Sequence, residues 1–129
     1  MSHWSNLSKQ GMWVRPNPAE DVKRLNAEKV LDIGCGNGRH MIFPVSVGMD
    51  NDPRALAMAR HHGPCILCDA HHLPVREGVF DIALLWSVLN FVEEPNVVYA
   101  EANRVSHQDP VYSLTNYAKN ARWILKERA

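Results

Sequence analysis

Apolar residues fall along this chain in short runs, each closing on a polar residue or a glycine, with amphipathic stretches between them. "KVLDI" reads as a buried strand ending at Asp32, "VSVGM" as a second closing on Asp50, and "CILC" as a short third ending at Asp69. "VFDIALLW" is apolar on both faces in its C-terminal half, as a central parallel strand is. "PVYSLTNY" predicts a fifth strand. The intervening stretches predict helices. "NPAEDVKRLNAEK" carries Asn17 as N-cap, Pro18 at the first helical position and Glu20 to complete a capping box. "PRALAMARHH" begins at Asp52 and Pro53 and ends at Gly63 and Pro64. "EPNVVYAEANRV" and a final "NARWILKER" follow the same pattern, whereas "RHMIF" leaves room for only a turn or so of helix before Pro44.

Strands alternating with helices imply βαβ units and a three-layer α/β sandwich with a mainly parallel sheet, and right-handed crossovers leave few topologies. The 129 residues suffice for one domain and one core, so residues 1–129 are expected to form a single domain. No repeat, low-complexity tract or linker interrupts it.

Composition narrows the function classes. A hydrophobic fraction of 46% argues against wholesale disorder, and 14 Lys plus Arg balance 14 Asp plus Glu. No strong field therefore draws the chain toward nucleic acid, though a local patch is compatible with this balance. "MSHWSNLSKQ" lacks the basic and apolar regions of a secretory signal, and no apolar run approaches the ~20 residues of a membrane span. Three cysteines make no disulfide framework, so a cytoplasmic location is expected.

The chemistry concentrates in "VLDIGCGNGRH", where Asp32 precedes three alternating glycines, Gly34, Gly36 and Gly38. A glycine turn between a parallel strand and the next element lets a ligand approach the backbone. A phosphate-cradling loop would need a Lys-Ser/Thr pair after the last glycine, but Arg39 and His40 stand there. A dinucleotide fingerprint places its third glycine one residue later than Gly38 does, although Asp50 could serve a ribose. That second reading stays open on the residues alone.

"VLDIGCGNGRH" closely resembles the first motif, acidic-x-G-x-G-x-G, of class I S-adenosylmethionine-dependent methyltransferases. The resemblance continues in order through "VGMDND", "CDAHHLPVREGVFDIALLWSVLNFVEEP" and "AEANRVSHQDPVYSLTNY", covering roughly residues 28–117. It implies a Rossmann-like fold with strand order 3-2-1-4-5, S-adenosylmethionine as cofactor and methyl transfer to an unidentified acceptor: a small molecule, a tRNA or a protein. It also implies roles. The turn of Gly34, Cys35, Gly36, Asn37 and Gly38 would face the methionine moiety, and Asp32 would orient its amino group. Asp50 would accept from the ribose hydroxyls, with Asn51 beside the adenine; Asp69 and the Ala70 backbone would read the adenine edge. Trp86 and Ser87 would line the methyl-donor end. In residues 1–16, Trp4 and Trp13 are expected to pack on the domain; the alternative is a lid in which Arg15 would pair with the cofactor carboxylate. No residue stands out as catalytic, which suits a reaction governed by in-line positioning.

The chain also departs from that family. It stops soon after the fifth strand, where relatives add an antiparallel hairpin, so a homodimer or partner subunit is expected at that edge. Asn51 replaces a usually apolar residue, and Asn90 and Phe91 stand where tRNA wobble-uridine methyltransferases carry a His pair. An inactive cofactor-binding or regulatory subunit is the competing function. "HHGPCILCDAHH" spaces His62, Cys65, Cys68 and His71 three apart, but neither strand nor helix converges such a set on a metal. Cys65 and Cys68 are therefore expected in the core, His71 and His72 at the pocket rim, and Asp81 in a structural role.

Overall fold

The structure, a computed structural model, describes residues 16–113. Five strands form one sheet: β1 (Lys29–Ile33), β2 (Val45–Asp50), β3 (Cys65–Leu67), β4 (Ile82–Trp86) and β5 (Val111–Ser113). Their order is β3-β2-β1-β4-β5, and every pairing is parallel. The reversal of strand order lies between β1 and β4, whose carboxyl ends open the crevice that such sheets offer to ligands.

Alternation along the central strands divides the core. Leu31 and Ile33 of β1 join Ala83 and Leu85 of β4 on one face, packed by Val98, Tyr99, Ala102 and Val105 of helix α3 (Pro95–Val105). That helical spacing of one, four and seven residues makes a single apolar stripe. Val30, Ile82 and Leu84 point to the other face, against Val22 of the short helix α1 (Glu20–Lys23). Leu56 and Ala59 of helix α2 (Pro53–Ala59) pack with Cys35 and Met41 beside them. The result is the expected three-layer sandwich.

Local details depart from the expected elements. Asn17 does not cap α1; the N-cap is Ala19, no side chain bonds there, and the capping box with Glu20 is not formed. The Ala19 N–H instead donates to His40 Nε2 at 3.1 Å, and the Asn17 carbonyl accepts from Arg39 Nη1 at 3.1 Å. These tertiary partners outcompete the local ones, and only four residues of the predicted helix form. Residues 39–43 contain turns and no helix. Helix α2 begins as expected, with the Asp52 carboxylate accepting from the Arg54 N–H, but ends at Ala59. Asp81 is structural, its carboxylate accepting from the N–H groups of Glu28 and Lys29. No helix among the described residues is long and apolar enough to cross a membrane. The expected final helix at "NARWILKER" and the segment with Trp4, Trp13 and Arg15 lie outside the described residues.

Candidate functional site

A cavity of 360 Å³ opens at the carboxyl ends of β1, β2 and β4. This is the size of a small-molecule site. Of the sequence-predicted residues, Gly34, Asp50, Asn51, Asp69, Ala70, Trp86 and Ser87 line it. Asp32, Cys35, Gly36, Asn37 and Gly38 are not among its lining residues, while Arg15 falls outside the described residues.

The glycine turn is built into the end of β2. The Cys35 N–H donates to the Met49 carbonyl at 2.9 Å, which brings the Gly36 N–H to Asp50 Oδ2 at 3.0 Å. Asp50 Oδ1 accepts from the Asp52 N–H at 3.0 Å. The carboxylate is thus fixed on both oxygens and only 2% exposed, yet its lone pairs are not exhausted. Burial pushes its pKa above the ordinary value, and the N–H donors pull against that. Gly34 has φ +68°, and a Cβ there would lie 2.7 Å from Val88 Cγ2. The turn and the segment after β4 therefore touch, and both line the cavity. Gly38, at φ +86°, meets α2: a Cβ would sit 3.0 Å from the Ala59 Cα.

Asp32 is 2% exposed, and its Oδ2 has no hydrogen-bond partner among the described residues. Burial, aided by the negative charge of Asp50 and opposed by Arg39, pushes its pKa up to about 7. A buried carboxyl with one oxygen lacking a partner favours either a proton or a cation beside it.

Two further details shape the other wall. Ser87 adopts φ 58°, the one non-glycine residue with positive φ among those described, and its N–H donates to the Ser113 carbonyl at 3.0 Å. Behind Trp86, the His40 ring packs edge-on with centroids 5.7 Å apart. Burial, with the charge of Arg39, pushes His40 down to about 4, so its imidazole is neutral and Nε2 accepts the Ala19 N–H. On the β3 side, Asp69 Oδ1 accepts from the His71 N–H at 2.9 Å and lies 2.7 Å from His71 Nδ1. These bonds hold the Asp69 pKa below the usual carboxylate range.

Met49, Cys68, Val88, Phe91, Val92, Glu93 and Glu94 also line the cavity, together with His71 and His72 at the expected rim. Sequence reasoning passed over Val88 to Glu94 as site residues because an apolar stretch before a helix carries no pattern that distinguishes lining from core. Cys68 packs on the main core while facing the cavity; Cys65 is half-buried. Among the described residues no His, Cys, Asp and Glu side chains group as a metal site.

Residues 31–112 match the family model described as a methyltransferase domain. A tRNA (carboxymethyluridine(34)-5-O)-methyltransferase of Schizosaccharomyces pombe is 32% identical over 69 residues, 51% of this chain and 30% of that protein. A Thermotoga maritima structure, described as a SAM-dependent methyltransferase and possible histamine N-methyltransferase, is 30% identical with a TM-score of 0.60. It covers 66% of this chain and 42% of its own. A Haloferax volcanii methyltransferase solved with the Trm112 methyltransferase activator has a TM-score of 0.69 at 16% identity, over 87% of this chain and 59% of that one. The last likeness is one of fold. The chain spans between about a third and three-fifths of the length of these relatives.

Proposed function

The chain belongs to the methyltransferase-domain family, and on that premise we propose that the cavity holds S-adenosylmethionine and that the protein transfers its methyl group to an acceptor. The observation that carries this reading is the convergence of Gly34, Asp50, Asp69, Trp86 and Ser87 on one cavity at the carboxyl edge of a parallel sheet.

The residues present suit this cofactor. Asp50, locked by the Gly36 and Asp52 N–H groups, presents its remaining lone pairs to a ribose diol. Asp69 and the Ala70 backbone face the adenine edge, and Asn51 flanks the ring. Asp32 Oδ2, which has no partner among the described residues, suits a positive charge near the glycine turn, and the methionine ammonium would supply one. Trp86 and Ser87 bound the methyl-donor end, with Trp86 steadied by the neutral His40. The bound cofactor supplies an electrophilic sulfonium methyl; the chain's residues hold it rigid and shielded, so that an incoming nucleophile meets it in line.

The relatives' descriptions give a tRNA carboxymethyluridine and, for the Thermotoga structure, a possible histamine acceptor, and the acceptor class here is open to assay. The complex of the Haloferax relative with an activator supports a partner subunit for this chain too, and the β5 edge is our proposed place for it or for a second copy. The test is transfer of a labelled methyl group from S-adenosylmethionine to tRNA, protein and small-amine pools. Transfer that is abolished by Asp50→Ala supports the reading. Cofactor binding without transfer to any pool, with or without an activator subunit, would favour an inactive binding subunit.

A further inference from the structure

His71 ties the two sides of the cavity mouth together. Its side chain is 16% exposed, while that of Asp69 beside it is 62% exposed. Its Nε2 lies 3.2 Å from the backbone nitrogen of Glu94, the N-cap of α3. A backbone N–H can only donate, so Nε2 carries the lone pair and the ring proton resides on Nδ1. That proton is then donated to Asp69 Oδ1 at 2.7 Å, the oxygen that also accepts the His71 N–H at 2.9 Å. Asp69, His71 and Glu94 all line the cavity.

From this geometry we propose that His71 is a positioning residue: it locks the Asp69 carboxylate for the cofactor's adenine and fastens the adenine-side loop to the start of α3. The inference rests on the cofactor reading above. With Oδ1 held by two donors, Oδ2 is left to accept from an exocyclic amino group. Without His71, an exposed aspartate following a three-residue edge strand would have no fixed rotamer, and ordering it would weaken binding. The bond to Glu94 fixes the ring's orientation and tautomer. No side chain of α3 caps its own N-terminus, so the imidazole supplies the acceptor that the Glu94 N–H lacks. His72, Glu93 and Glu94 are the other charged or titratable groups of this rim.

Two measurements on the full chain test this. Long-range nitrogen-15 correlation spectra of the ligand-free protein at pH 7.5–8 (about a unit above the ordinary histidine range) should show His71 as the Nδ1–H tautomer. An Nε2–H tautomer overturns the inference. Calorimetric titration then compares S-adenosylhomocysteine with its counterpart lacking the 6-amino group. His71→Ala should weaken the adenine compound about tenfold and leave the deaminated one within about twofold, and His71→Asn, which keeps an N–H donor, should recover part of the loss. Equal weakening of both compounds indicates a merely structural role and overturns the proposal. Failure of the unaltered protein to bind either compound refutes the cofactor premise and the adenine role with it; the tautomer spectrum separates that outcome from a wrong reading of the His71 geometry.

Discussion

Replacing Asp32 with asparagine should make the ligand-free protein more stable and its cofactor binding weaker. The carboxyl is buried, its Oδ2 has no partner among the described residues, and its pKa stands at about 7 against an ordinary 3.8. At ~1.4 kcal/mol per pH unit, the ionised form costs the fold about 4 kcal/mol. The sign follows from proton uptake. Below 3.8 the group is protonated in folded and unfolded chains alike, and it contributes no pH dependence. From there to about 7 the folded chain keeps a proton that the unfolded chain releases, so stability falls as pH rises; above 7 the full penalty applies. Urea denaturation of both proteins at several pH values isolates this group, because the remaining titrations are common to both. The stability difference, Asp32→Asn minus unaltered protein, should grow across this window and level off above it, with a rise of at least ~2 kcal/mol. A difference that stays flat with pH would refute the claim that burial outweighs the opposing charge of Arg39 at Asp32. Loss of the negative charge should at the same time lower the affinity for S-adenosylmethionine, since the ammonium then loses its counter-charge.

Ser87→Gly should stabilise the fold by up to about 1 kcal/mol in thermal or urea unfolding, because φ 58° disfavours a side chain. Part of that gain is offset by the freedom of glycine in the unfolded chain. A marked loss of stability would mean that the hydroxyl, not the backbone, holds this turn. Arg104→Ala should destabilise by about 1–2 kcal/mol. Its guanidinium bonds both oxygens of Glu101 at 2.8 and 2.9 Å and the carbonyls of Val75 and Leu73 at 2.7 and 3.1 Å. Arg104→Lys should not restore the loss, since an ammonium cannot form that fork; full recovery in the lysine variant would contradict the assignment.

The strands were legible because each apolar run ends on a residue that suits the carboxyl edge, and their order followed from the family resemblance. Asp50, Asp69 and Trp86 mark three such ends, and all three line the cavity. The helix starts were legible where the cap is local, as at Asp52. They were misread where a distant group intervenes. His40 lies 21 residues from Ala19 and takes its N–H, which dissolves the capping box read at Asn17 and Glu20. The same limit hid the link between His71 and Glu94, separated by 23 residues. Asp32 and the last two glycines of the turn show a third limit. Motif spacing identifies which residues build a site, but not whether a side chain faces the cavity or, like Gly36, acts by holding the residue that does.

The central claim is that this cavity takes S-adenosylmethionine, and calorimetric titration of the full chain with S-adenosylmethionine, S-adenosylhomocysteine and NAD tests it most directly. Micromolar or tighter binding of the first two, none of NAD, and loss of binding in Asp50→Ala are the expected results. Preferential binding of NAD, or cofactor binding unchanged by Asp50→Ala, would contradict it.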